Sequence, residues 1–330
     1  MNSFRIAVLD DYQRLALRVA DWSALQRRAD VVTFDRHLTN DAVQELRDFD
    51  AVCHLRERMA FPRSLIEQLP RLKFITITGQ RHRTLDEQAC AERGIVVSFT
   101  PGSEQGRSAT SELAWGLILA LARHIPAEVH RMKHHGWQTT CGQVLRGKTL
   151  GLVGLGKLGA QMVPVARAFG MDVLAWSPNL TAERAQSAGA TWVSKRELFS
   201  RSDFVSLHLV LGESTRGVIG RADLACLQPH AYVVNTARAG LVDEDALYDL
   251  LANKRIAGAA LDTFEVEPLP DDFRFRRLDN VILTPHLGYT VEETLRAFYK
   301  GTVEALEAFL SGAPIRLLNS VPAPSQGNSH

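Results

Sequence analysis

Three segments of this chain each place a side chain with binding or acid–base chemistry just after a short apolar run. "YVVNTARAGLVDED" carries Arg238, "AALDTFEVEPLPDD" carries Asp262 and then Glu267, and "NVILTPHLGYT" carries His286 behind Pro285. An imidazole exchanges a proton near neutral pH, and a carboxylate beside it orients the ring and favours its charged form. An arginine grips a carboxylate through paired hydrogen bonds. Singly, each residue has an ordinary explanation: an arginine at a strand end is commonly a surface residue, and a His–Glu pair is commonly structural. Together they are the parts needed to move a proton at the oxygen of a 2-oxo acid whose carboxylate is held by a cation.

Such residues need a frame. "TLGLVGLGKLGAQMVPVARAFG" sets Gly154, Gly156 and Gly159 as G-x-G-x-x-G between an apolar strand pattern and a helix pattern. That context reads as a dinucleotide site: a tight turn, a close backbone approach to a pyrophosphate, close helix–strand packing, and the partial positive charge of a helix start. Apolar runs continue as "DVLAWS", "TWV", "FVSLHLV", "YVVNTA", "IAGAALD" and "NVILTP", separated by amphipathic stretches. Upstream, "RIAVLD", "DVVTF", "AVCHL", "KFITIT" and "IVVSF" form an earlier series, with helix patterns at "NDAVQELRDF", "RSLIEQLP" and "LDEQACAERG". A long helix is expected near 102–123, a connector containing a helix over 124–148, and a last helix over 290–310 before a Pro/Ser/Gly/Asn-rich tail expected to be disordered. Alternation of this kind implies α/β architecture with largely parallel strands, and ligands then bind beyond the carboxyl ends of those strands.

Composition narrows the class. The chain has 330 residues, 45% hydrophobic and 23% charged, with a formal net charge of +1. That is the profile of a soluble globular protein of two domains, with no field that would favour nucleic acid or an anionic membrane. The richest apolar run, "LAWGLILALA", is too short to span a bilayer, and the N-terminus enters a strand without a signal-peptide pattern. Cys53, Cys90, Cys141 and Cys226 are scattered, so a disulfide framework or zinc site is not expected and a reducing cytoplasm fits. His134 and His135 are adjacent on an expected helix, where they would point to different sides, so no metal is expected.

On these stretches the sequence resembles the D-isomer-specific 2-hydroxyacid dehydrogenases. "GKTLGLVGLGKLG", "DFVSLHLVLGESTRGVIG", "VVNTARAGLVDEDAL", "ALDTFEVEPLP" and "NVILTPHLG" carry the likeness. It implies two Rossmann-like, doubly wound parallel-sheet domains with the active site in the cleft between them. A discontinuous substrate-binding domain, 1–101 plus 287–330, would accompany a dinucleotide-binding domain, 102–286. Arg238 would bind the substrate carboxylate and polarise the oxo group, Glu267 would support the histidine, and His286 would be the acid/base. Asp262 would contact the nicotinamide carboxamide. Cofactor contacts carry over onto Gly154, Gly156, Lys157, Leu158, Ser177, Asn179, His208, Thr215, Thr236, Ala237 and Gly288, and substrate contacts onto Thr78 and Gly79. The likeness further implies hydride transfer between a nicotinamide cofactor and a 2-oxo or D-2-hydroxy acid, in a homodimer with the long helix at the interface. A dinucleotide-sensing corepressor-like protein and a formate dehydrogenase-like enzyme are the alternatives. The first would need a recruitment segment and the second a glutamine partner for the histidine, and the chain has Glu267.

Two departures stand out. Where the family often has G-x-G-x-D-x-I-D, this chain reads "TGQRHRTLD" at 78–86, placing Arg81 and Arg83 where glycine and aspartate are frequent, and "RERMAF" adds Arg56 and Arg58. These arginines are either solvated or bonded within their domain, or one or more faces the cleft and favours a substrate with a second anionic group. The other departure is "VLAWSPNLT": the strand after the glycine run ends in Ser177, Pro178 and Asn179 rather than the acid that usually meets the adenosine ribose. No charge there excludes a 2′-phosphate, and Arg184 is the nearest arginine. The cofactor expected is NAD(H) or NADP(H), leaning to NAD.

Overall fold

The computed structural model describes residues 3–319, so the Pro/Ser/Gly/Asn-rich tail lies outside the described residues. The chain divides into two compact units, one running up to Gly106 and resuming at Val291, the other spanning Arg107–Thr290. Both are parallel sheets clothed in helices.

In the first unit β1 (Phe4–Val8), β2 (Ala29–Thr33), β3 (Ala51–His54), β4 (Phe74–Thr78) and β5 (Val96–Thr100) lie in the order β2-β1-β3-β4-β5. Every residue of β3 and β4 is buried, which is why these segments read as unbroken apolar runs rather than alternating ones. Helix Glu87–Glu92 begins where the Asp86 carboxylate accepts the Ala89 amide, 2.7 Å, and the chain leaves it through Gly94 at φ +68°. Helix Glu292–Leu310 returns to this unit and packs on β4 and β5, burying Leu295, Phe298, Tyr299 and Leu306.

The second unit holds β6 (Thr149–Val153), β7 (Asp172–Trp176), β8 (Thr191–Trp192), β9 (Phe204–Leu207), β10 (Tyr232–Asn235), β11 (Gly258–Leu261) and β12 (Val281–Leu283). Their order, β12-β11-β10-β9-β6-β7-β8, reverses direction between β6 and β9, the position at which open α/β sheets bind ligands. Helix Ala109–Ala122 sends Ala114, Trp115, Leu117, Ile118 and Leu121 into the same core as Leu150 and Leu152 of β6.

Two expectations need correction. The strand in "FVSLHLV" stops at Leu207, because the chain turns inward at His208 and then out to Val210, which is 82% exposed. His134 and His135 are not on a helix: Ile125–Lys133 ends before them, and His135 adopts φ +62°.

Candidate active site

Strand register decides which side chains meet. Val153 of β6 pairs with Leu207 of β9, Leu207 with Asn235 of β10, Asn235 with Leu261 of β11, and Leu261 with Leu283 of β12. The next residues, Gly154, His208, Thr236, Asp262 and Thr284, therefore stand in a row along one rim of the sheet. Segments distant in sequence thus deliver their polar residues side by side.

The turn after β6 is built for close approach. Gly154 has φ +102°, and a Cβ there would sit 2.8 Å from the His208 carbonyl carbon. A Cβ on Gly159 would meet the Gly154 carbonyl oxygen at 2.1 Å. At Gly156, by contrast, a Cβ would meet nothing within 4 Å, so this residue opens the start of helix Lys157–Ala168 to a ligand. Along the same rim the His208 Nδ1 and Thr236 Oγ1 are buried with no hydrogen-bond partner among the described residues. Burial holds the His208 imidazole neutral, its pKa pushed down to about 4, while its Nε2 meets Ser206 Oγ at 2.9 Å. An open helix start, a cradle without side chains and unpartnered buried polar atoms fit a dinucleotide. Lys157 is exposed and Leu158 half-buried beside that cradle, while Ala237 is half-buried in the loop after β10. The Thr215 hydroxyl is committed to its own loop, donating to the Val210 carbonyl at 2.8 Å and accepting from the Gly212 amide at 2.8 Å.

His286 and Glu267 are paired. His286 Nδ1 lies 2.6 Å from Glu267 Oε2, with the two side chains 22% and 24% exposed, and the second glutamate oxygen accepts the Phe264 amide at 2.9 Å. Burial pushes the Glu267 carboxyl up, but the hydrogen bond and charge of His286, the Phe264 amide and the Arg238 charge outweigh it and hold it below the ordinary range. His286 itself sits at φ +52°, a conformation that non-glycine residues hold only when their surroundings fix it. Asp262 does the fixing. Fully buried, it accepts from the Thr284 hydroxyl at 2.6 Å, the Leu287 amide at 2.7 Å and the Gly288 amide at 2.9 Å, clamping the loop on both sides of His286. Burial raises its pKa against those bonds. Thr110 adds a bond to the Gly288 carbonyl at 2.7 Å.

Arg238 follows β10 and donates to the Ala237 carbonyl at 2.7 Å. Its loop is held by a residue that sequence reasoning missed: Asn235, 2% exposed, accepts the Ala237 amide and donates to the Arg238 carbonyl, both at 3.0 Å. The Asn-Thr-Ala-Arg spacing, an amide side chain just before a strand-end turn, was the available signal.

In the first unit, Thr78 and Gly79 close β4. The Gly79 amide donates to the Thr100 carbonyl at 2.8 Å, the Thr78 hydroxyl accepts the Arg56 amide at 2.6 Å, and the Arg56 guanidinium lies against Gly79. Arg58 donates to the Asp10 carbonyl at 2.8 Å and Arg83 pairs with Glu57 at 3.1 Å, so these arginines are bonded within their own unit, while Arg81 is exposed.

A doubly wound parallel sheet with this glycine turn and a histidine–glutamate pair on its carboxyl rim defines a dinucleotide-binding α/β protein. Residues 115–288, more than half of the chain, match the NAD binding domain of the D-isomer specific 2-hydroxyacid dehydrogenases, and the chain belongs to that family. It is 38% identical over 82% of its length to the D-3-phosphoglycerate dehydrogenase of Methanocaldococcus jannaschii, of which it spans only 52%. It is 35% identical to the hydroxypyruvate reductase of Thermotoga maritima, over 90% of this chain and 95% of that one. Among solved structures, a phosphoglycerate oxidoreductase from Vibrio cholerae O395 superposes with a TM-score of 0.87 at 33% identity, covering 94% of this chain and 100% of the other. No helix among the described residues is long and apolar enough to cross a membrane.

Proposed function

We propose that the protein is a nicotinamide-dependent reductase of 2-oxo acids to D-2-hydroxy acids. The observation that carries this reading is the 2.6 Å pair between His286 Nδ1 and Glu267, which leaves the ring's Nε2 for a reactant. When bound, the dihydronicotinamide would supply the hydride for the substrate's C2. Gly154, Gly156 and the start of helix Lys157–Ala168 would hold its pyrophosphate, with His208 and Thr236 as polar contacts. His286 donates the proton that turns the oxo oxygen into a hydroxyl, and takes it back in the oxidative direction. Glu267 stays ionised throughout and stabilises the imidazolium. Arg238 holds the substrate carboxylate and draws electron density from the oxo group. Asp262 keeps the His286 loop in place.

A panel of 2-oxo acids (glyoxylate, hydroxypyruvate, a phosphorylated and a bulkier one), run with NADH and with NADPH, tests the reading. His286→Ala should lower turnover on the best substrate by roughly 10²-fold or more. Dinucleotide binding with no turnover of any 2-oxo acid would replace the enzyme with a binding protein, and wild-type rates in the variant would remove His286 from the mechanism. The reading includes a cytoplasmic homodimer, which sedimentation velocity checks for the subunit count.

A further inference from the structure

Loops after three neighbouring strands of the second unit meet over one glycine. Gly240 is buried in the loop after β10, and its backbone is not left-handed, so the turn itself does not require glycine. The space for a side chain is already taken. A Cβ there would sit 2.6 Å from Glu265 Oε1, 2.8 Å from Arg216 Nη1 and 3.1 Å from Leu211 Cδ2. Leu211 and Arg216 belong to the loop after β9, and Glu265 belongs to the loop after β11. Arg216 and Glu265 are themselves paired at 3.1 Å, so an ion pair from the two outer loops is seated on the backbone of the middle one.

That middle loop carries Arg238. It is laced to the residues that follow Arg216: the Gly217 amide donates to the Gly240 carbonyl at 2.8 Å, and the Ile219 amide to the Leu241 carbonyl at 3.0 Å. The Asp243 amide returns to the Ile219 carbonyl at 2.9 Å, and the Leu241 amide reaches the Arg238 carbonyl at 3.3 Å. On the other side, Glu265 adjoins Phe264, whose amide donates to the Glu267 carboxylate. The pair thus ties the loop of Arg238 to the loop of Glu267. Folding stability does not account for it, because side chains 60% and 51% exposed make a pair that adds little.

We propose that Arg216 and Glu265 are positioning residues, whose pair clasps the Arg238 loop and fixes where its guanidinium stands relative to His286 and Glu267. The proposal rests on reading the site as that of a 2-oxo acid reductase. Neither side chain touches the substrate or moves a proton. The clasp acts through placement, to which rate is sensitive at the scale of an ångström.

The test compares Arg216→Ala, Glu265→Ala, their double variant and the reversed pair Arg216→Glu/Glu265→Arg. Arg221→Ala is the control, since the Arg221–Asp249 pair is as exposed but joins two helices. Each single variant should lower kcat/KM for the best 2-oxo acid about tenfold, mostly through KM, because a displaced Arg238 grips the carboxylate less well. The pH profile should keep its wild-type shape, and the melting temperature should stay within about 2 °C. By mass spectrometry, amides of residues 238–242 should exchange faster. The double variant should be no worse than either single one, and the reversed pair should recover most of the loss. Arg221→Ala should change none of these readings. Single variants within twofold of wild type would overturn the proposal, as would losses that add in the double variant or that follow a fall in melting temperature. If a folded wild type turned over no 2-oxo acid, the reading beneath would fall while exchange still judged the clasp. Unchanged exchange at 238–242 in Arg216→Ala would then overturn the clasp as well.

Discussion

Each unit of this protein holds a histidine against one partner, and the two pairs behave in opposite ways. In the second unit His286 faces Glu267 at 2.6 Å, and both are about a quarter exposed. In the first, His54 of β3 faces His82, with ring centroids 4.9 Å apart and planes at 78°, and the Phe61 ring closes on His54 at 4.7 Å. Both of these rings are buried, and neither Nε2 has a hydrogen-bond partner among the described residues. Burial, reinforced by His82, drives the His54 pKa well down. Burial lowers His82 as well, with Glu57 opposing and Arg56 assisting. A carboxylate partner and partial exposure make an imidazole able to carry a proton for another molecule. An apolar box and a second imidazole make it a neutral packing element. Residue type is the same; partner charge and access to water separate the roles.

The largest expected effect comes from breaking the first pair. Glu267→Gln keeps the shape and a hydrogen-bonding group but removes the charge that stabilises the imidazolium. Turnover should fall on the order of 10²-fold with the fold retained, because the proton transfer loses its electrostatic support. Steady-state rates across pH check this: a rate within twofold of wild type at every pH would reduce Glu267 to a structural neighbour.

A smaller effect separates the pair from its support. Asp262→Asn replaces an acceptor of three hydrogen bonds with a group that cannot accept at both positions, leaving a buried amide or hydroxyl unpaired at a cost of about 1–3 kcal/mol. Because those bonds hold the backbone on either side of His286, catalytic rate should fall along with the melting temperature. A variant that melts lower but turns over normally would show that the loop does not need its clamp.

Much of the second unit was legible because its candidate site residues follow strand-like runs. Arg238, Asp262 and His286 each come after an apolar segment, and sheet geometry places such residues on one rim. What the Asp262 carboxylate does there was hidden, since its partners Leu287 and Gly288 belong to the loop after a neighbouring strand. Asn235 was hidden for the same reason on a smaller scale: inside "VVNTA" it reads as the last strand residue, and its role depends on the loop turning back over it. The turn after β7 was half legible. The missing acid after β7 could be read directly, but an arginine several residues along reaches the turn only through helix geometry. In the first unit, His82 sits in a polar stretch that reads as solvated loop. Its burial follows from the Phe61–Leu85 bridge and the Phe61 amide bonding to the Thr84 carbonyl at 2.9 Å, which fold that stretch onto β3.

The smallest effect concerns that second pair, and it is one of pH. Both rings have folded pKa values below the unfolded histidine value of about 6.5, so below that pH the unfolded chain binds protons that the folded chain refuses. Stability from these rings is therefore complete above pH 6.5 and lost as the pH falls below it, by about 1 kcal/mol over the first pH unit if one ring dominates. Replacing His54 by Leu removes a buried unpaired nitrogen at similar volume, so the variant should match the wild type within about 1 kcal/mol at pH 8. It should then lose less stability than the wild type on acidification, since one of the two refused protons no longer exists. Urea midpoints at pH 8 and pH 5.5 read this directly. A variant with the wild-type acid sensitivity would mean that the His54–His82 pair finds water or a partner on protonation, and the contrast with His286 would then rest on the carboxylate alone.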